Sequence, residues 1–76
     1  MHETRLNLRG LKCPLPALKT RKALQRLAPG DVLVVECTDP LSAIDIPALL
    51  QETRDHLEGR EEANGALLFR IRKAGP

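Results

Sequence analysis

The chain has no tryptophan and no tyrosine, and Phe69 is its only aromatic residue. Proteins that grip single-stranded nucleic acid stack bases on aromatic platforms, and a net charge of +2 adds little attraction for phosphate, so direct nucleic-acid binding is not expected. Only two cysteines and two histidines are present, with no Cys-x-x-Cys and no His-x-x-x-His, which leaves no four-ligand metal site and implies no cofactor. Glycine-rich phosphate loops are absent. No apolar run approaches the roughly 18 residues of a membrane span. The opening Met1-His2-Glu3-Thr4-Arg5 lacks the basic and apolar regions of an export signal, so the cytoplasm is the expected compartment. There, two cysteines are read as free thiols rather than a staple.

What is present suits a small globular domain spanning residues 1–76, with an ordered core of about residues 4–73. Hydrophobic residues make up 42% and charged residues 29%, and the 14 leucines mean that the core is packed from aliphatic side chains. Thr4 to Arg9 alternates, with Leu6 and Leu8 on one face, as a half-buried strand does. Gly10 ends it. Pro14 to Ala28 is rich in helix formers and is stopped by Pro29-Gly30. Asp31 to Cys37 is short and β-branched, which reads as a buried strand with Leu33, Val35 and Cys37 facing the core. Ile46, Leu49, Leu50, Thr53 and Leu57 recur at helical spacing, with Asp45 as the expected N-cap, Pro47 in the first turn and Gly59 as the stop. Asn64-Gly65 marks a hairpin between a short polar edge strand, Arg60 to Ala63, and a final strand with Leu67, Phe69 and Ile71 on one face. The order β-α-β-α-β-β predicts an α/β (α+β) two-layer sandwich: a four-stranded mixed sheet, two helices on one face, and the first two strands parallel with their carboxyl ends at a shared edge.

That edge carries Leu11-Lys12-Cys13-Pro14-Leu15-Pro16. If Pro14 opens the helix, Cys13 is its N-cap, where unpaired N–H groups, the helix macrodipole, Lys12 and Lys19 all favour a thiolate. A lowered thiol pKa and a nucleophilic Cys13 are the expectation, with Pro14 and Pro16 stiffening the mount. The competing reading makes Cys13 a small buried residue at a strand-to-helix turn. His2, in the terminus, and His56, at the far end of the second helix, are too remote for a cysteine–histidine hydrolase. Asp39 and Asp45 are read as turn and cap residues. Cys37 reads as core by strand phase, with a second, resolving thiol as the alternative. On the first helix Lys12, Leu15, Lys19, Lys22 and Arg26 form one stripe, opposite Ala17, Thr20, Leu24 and Leu27. The stripe is either a solvated face or a docking surface, for an acidic partner or a nucleic-acid phosphate, that delivers Cys13 face first.

The runs LRGLKCPLPALKTRKAL, LAPGDVLVVECTDPLSAIDIPALL and LLFRIRK, with Cys13-Pro14-x-Pro16 after Gly10, Pro29-Gly30, Thr38-Asp39-Pro40 and Asp45-Ile46-Pro47 in order, resemble the TusA/SirA family of small sulfur-carrier proteins. The resemblance implies a βαβαββ sandwich and a sulfurtransferase of the carrier type. Cys13 would accept a sulfane sulfur as a persulfide from a cysteine desulfurase or rhodanese-like donor and relay it to a protein acceptor in tRNA 2-thiolation, sulfur oxidation or molybdenum-cofactor formation. Surroundings free of groups that would discharge the persulfide, and a free monomer, go with that role. Leu15 stands where members acting on tRNA often have Glu, and Asn7 where Asp is common, so the pathway stays open. A noncatalytic regulatory or protein-interaction module built on the basic first helix is the alternative, and thiol–disulfide chemistry with Cys37 is a third reading.

Overall fold

The computed structural model describes residues 2–75; Met1 and Pro76, inside the domain bounds expected from the sequence, lie outside them. The elements follow the expected order: β1 (Glu3–Leu8), α1 (Leu15–Gln25), β2 (Val32–Cys37), α2 (Ser42–Thr53), β3 (His56–Ala63) and β4 (Ala66–Arg72). They form one four-stranded sheet in the order β1-β2-β4-β3. β1 runs parallel to β2, with Leu6 opposite Val35 and Leu8 opposite Cys37, while β4 lies antiparallel to both β2 and β3. The α+β sandwich is the fold the hydrophobic pattern calls for.

Strand phase decides what lies inside. Leu33, Val35 and Cys37 of β2, Phe69 and Ile71 of β4 and Leu8 of β1 pack with Leu24 of α1 and with Ile46 and Leu50 of α2 in a single cluster. Both helices therefore cover one face of the sheet. The opposite face is roofed by charge: Arg70 pairs with Glu3 at 2.6 Å, Arg72 with Glu58 at 2.5 Å, and Arg9 with Glu36. Exposed pairs of this kind contribute about 0–1 kcal/mol each, so the roof keeps the face wet and soluble more than it holds the fold. Val34, on that face, is nevertheless only 8% exposed, because Arg5, Arg70 and Leu68 line the same shallow cleft over it.

Four boundaries differ from the sequence expectation. α1 begins at Leu15, with Pro14 rather than Cys13 as N-cap, and it ends at Gln25 instead of Ala28. Arg26 and Leu27 donate to carbonyls three residues back, a tightened last turn that precedes the Pro29-Gly30 stop. α2 begins at Ser42, three residues before Asp45, which places Pro47 inside the helix rather than in its first turn. The early start comes from Asp39: its carboxylate accepts the Leu41 N–H at 3.1 Å, and its carbonyl accepts both the N–H and the hydroxyl of Ser42. α2 then stops at Thr53, where Arg54 takes φ +65° and its N–H returns to the Leu50 carbonyl.

Gly59 is thus no helix stop. His56 and Leu57 belong to β3, and Gly59 follows a register shift in the pairing with β4, a common place for a strand glycine. The hairpin at Asn64-Gly65 has positive φ at both residues, +52° and +76°, as a tight two-residue turn between twisted strands requires.

Phe69 is fully buried and is the largest side chain in the core. Phe69→Ala should cost about 3–5 kcal/mol, against a total stability of roughly 4–11 kcal/mol for a chain of this length at about 0.05–0.15 kcal/mol per residue. Urea denaturation followed by far-UV circular dichroism should show the midpoint collapse toward zero denaturant, and an unchanged midpoint would contradict the packing described here.

Candidate functional site

The parallel pairing of β1 and β2 ends with Leu8 opposite Cys37, so the segments that follow the two strands leave the sheet side by side. Gly10 turns the first of them at φ +81°, and its N–H donates to the Thr38 hydroxyl of the second at 2.9 Å. Five residues later Leu15 closes a turn by donating to the Lys12 carbonyl at 2.9 Å, and Leu18 donates to the Pro14 carbonyl at 3.1 Å. The Cys13–Pro14 peptide is cis. Pro16, in the first turn of α1, is buried and loses no helical hydrogen bond there. Cys13 is held at the crest of this turn and is exposed.

Two carboxylates meet it there. The Cys13 N–H donates to Asp39 Oδ2 at 2.6 Å, and the Cys13 thiol donates to Asp45 Oδ2 at 2.6 Å. Asp39 therefore bridges Cys13 and Leu41, tying the thiol turn to the start of α2, and these two backbone donors hold its carboxyl below the usual range, with Lys12 adding to the effect. Asp45 does the opposite to the sulfur. Its acceptor oxygen is the largest cause, followed by desolvation and by the charges of Asp45 and Asp39, and together they push the Cys13 thiol above its ordinary value. The expectation of a thiol activated by the helix start is corrected: α1 begins two residues after Cys13, and two adjacent carboxylates act on Cys13 instead. The surroundings of the sulfur are not bare either.

Sequence reading missed this pairing because it assigned Asp39 and Asp45 to turn and cap duties. Asp39 does serve a turn, and Asp45 caps nothing. The available signal was the shared edge itself, since parallel strands of equal reach must bring the two following segments together.

Cys13 opens onto a cleft of about 260 Å³ between α1 and α2, lined by Pro14, Leu18, Asp45 and Leu49, with Arg21 and Glu52 paired at 2.5 Å along it. Leu15 (44% exposed), Leu18 (55%), Leu41 (52%) and Ile44 (69%) add exposed apolar surface at the starts of the two helices, and Leu18 shares the cleft with Cys13. Lys12, Lys19, Lys22 and Arg26 are exposed, and among the described residues none of them forms a salt bridge. Lys12 lies in the turn ahead of Cys13, Leu15 is the first residue of α1, and Arg26 is its C-cap, so the stripe spans the whole helix.

Cys37 is fully buried in the core, and burial is the main cause that raises its thiol pKa. Both cysteines are free. His2 and His56 are exposed, and His56 opens β3 rather than closing α2. Among the described residues no three His, Cys, Asp or Glu side chains gather as metal ligands, and no helix is long and apolar enough to cross a membrane.

The family model described as Sulfurtransferase TusA matches residues 4–73. The sulfur carrier protein TusA of Allochromatium vinosum is 39% identical over 69 residues, covering 91% of each chain. That of Pseudomonas entomophila is 38% identical over 73 residues, 96% of this chain and 91% of its own. A putative sulfur carrier protein of Neisseria meningitidis is 40% identical over 65 residues, 86% of this chain and 88% of its own. With a matching family model over nearly its whole length, and with relatives of almost equal length, the chain belongs to the TusA family of sulfur carrier proteins.

Proposed function

We propose that Cys13 takes a sulfane sulfur from a donor protein of the cysteine desulfurase or rhodanese-like kind, holds it as a persulfide, and passes it to a protein acceptor. The observation that carries this reading is that Cys13 is the one exposed thiol, mounted at the crest of a proline-bounded turn, whereas Cys37 is sealed in the core. The step balances without a cofactor. The Cys13 sulfur attacks the terminal sulfur of a donor persulfide, a new S–S bond forms as the donor S–S bond breaks, and the proton lost by Cys13 ends on the departing donor thiol. Relay repeats the exchange with Cys13 as donor.

Gly10, Pro14 and Pro16 shape the mount. Gly10 supplies the positive φ that turns the chain, and the two prolines bracket the entry to α1. Lys12, Leu15, Lys19, Lys22 and Arg26 form the docking face. Lys19, Lys22 and Arg26 form no salt bridge among the described residues, and Leu15 adds exposed apolar surface at the helix start, which suits a partner with an acidic rim. We place the carrier in the cytoplasm as one domain over residues 1–76, monomeric when free. Its acceptor would belong to tRNA 2-thiolation, sulfur oxidation or molybdenum-cofactor formation.

Incubation with a cysteine desulfurase and cysteine, followed by intact-mass measurement under non-reducing conditions, should add the mass of one sulfur atom. That gain should vanish in Cys13→Ser and persist in Cys37→Ser. Absence of any gain would favour a regulatory binding module in which Cys13 is structural, and loss of the gain in Cys37→Ser would give the buried thiol a share in the relay. Reversing Lys19 and Lys22 to Glu should slow loading by about tenfold at low salt, an effect that high salt erases because steering is screened. An unchanged loading rate would reduce the stripe to a solvated face.

A further inference from the structure

The contact between Cys13 and Asp45 is unexpected for a residue whose work is nucleophilic. A carboxylate that accepts a hydrogen bond from the thiol at 2.6 Å stabilises S–H and opposes S⁻. Every charged group facing the sulfur points to the same result. Asp45 comes from α2, and Asp39, from the segment after β2, adds a second negative charge while holding the Cys13 N–H. Arg21 of α1, the nearest cation along the cleft, is already paired with Glu52 of α2. Lys12 acts on Asp39. Among the described residues Asp45 has no cationic partner, and its hydrogen-bond donor is the thiol.

We propose that Asp45 is a proton latch on Cys13, keeping the thiol quiescent in the free chain until a sulfur donor brings a cationic group, carried on an otherwise apolar loop, to the Asp39–Asp45 carboxylates. The inference rests on the carrier reading and names the chemistry of the partner segment that reaches the sulfur. Asp45 is a positioning residue here, since it acts on the reacting atom only through the proton it holds. The apolar half of the complement follows from three residues each more than half exposed: Leu18, which lines the cleft with Asp45, Leu41, whose N–H bonds Asp39, and Ile44, next to Asp45 in the chain. Hydrophobic side chains on the partner would cover them and exclude water. Desolvation then strengthens the pairing of the incoming cation with Asp45 and frees the thiol proton for the leaving donor sulfur.

The latch would do one thing more. Once Cys13 carries a persulfide, its ionised outer sulfur would stand beside the same carboxylate. The repulsion would turn it outward, toward an acceptor.

Small disulfides of opposite charge probe the latch without any partner protein. Cys13 exchanges with a disulfide R–S–S–R to give Cys13–S–S–R and one R–SH, and peptide mapping by mass spectrometry locates the adduct. The native chain should react faster with cystamine, a dication, than with 3,3′-dithiodipropionate, a dianion, by about tenfold at low salt. Asp45→Asn should bring the two rates within about threefold and move the midpoint of the pH profile for iodoacetamide alkylation of Cys13 down, as loss of an adjacent carboxylate requires. Asp45→Glu should restore much of both effects. If Asp45→Asn folds poorly, the native chain suffices, because added salt must narrow the cystamine preference.

Equal rates with the two disulfides in the native chain would overturn the latch, and so would an alkylation profile that Asp45→Asn leaves in place. Failure of Cys13 to gain sulfur from a desulfurase, with the disulfide preference intact, would overturn the carrier reading alone.

Discussion

The parallel pairing of β1 with β2 is the constraint on which the rest depends. In that register Leu8 ends one strand opposite Cys37 at the end of the other, so the Gly10–Pro14 turn and the Thr38–Leu41 turn must emerge together. The Gly10 N–H to Thr38 bond and the Cys13 N–H to Asp39 bond then stitch them into one unit. Asp39 also starts α2, which carries Asp45 to the sulfur less than two turns later. A one-residue slip would exchange the two faces of β1, expose Leu6 and Leu8, and separate the turns. The apolar contacts that fix the register therefore fix the geometry at Cys13 as well.

At that site the contest is between a helix start and two carboxylates. The α1 macrodipole offers about half a positive charge spread over its first turn, and Lys12 is directed at Asp39. Asp45 brings a whole charge in hydrogen-bond contact. The contact charge holds the Cys13 thiol above its ordinary pKa. For a carrier this ordering is useful. A permanently ionised exposed thiol reacts with any electrophile or oxidant it meets, whereas one whose proton is held reacts when an oppositely charged partner takes the carboxylate away.

Most of the fold is legible in the sequence because each strand advertises its buried face: Leu6 with Leu8, Leu33 with Val35, Phe69 with Ile71. The two glycine-bearing turns at Gly30 and Asn64-Gly65 are legible for the same local reason, since backbone in the left-handed region favours those residues. The boundaries around α2 were hidden because tertiary bonds set them. Asp39 draws the start forward, and Arg54, a non-glycine in the left-handed region, ends the helix with no warning in the sequence. β3 was misjudged because its residues are polar on both faces, so no alternation betrays the first half of the strand, and Leu57 happens to continue the helical spacing of α2. Cys13 and its prolines stood out at once. Its carboxylate partners did not, because Asp39 and Asp45 lie 26 and 32 residues away and each has an adequate local explanation.

The charges around the site also have a direction. Lys19, Lys22 and Arg26 run along α1 without salt-bridge partners among the described residues, while Asp39 and Asp45 bond Cys13 from the α2 side, and Leu15, Leu18, Leu41 and Ile44 are exposed at the starts of the two helices. A surface that is positive on one side of a thiol and negative on the other resists a partner docked the wrong way round, because reversal sets like charges against each other on both sides at once. Orientation is what an exchange between two sulfurs demands, since attack succeeds only along the line of the bond that breaks. On the far side of the sheet Arg70 and Arg72 are paired with Glu3 and Glu58. There cations and carboxylates sit in contact, whereas Lys19, Lys22 and Arg26 on α1 and the carboxylate of Asp45 form no ion pair among the described residues.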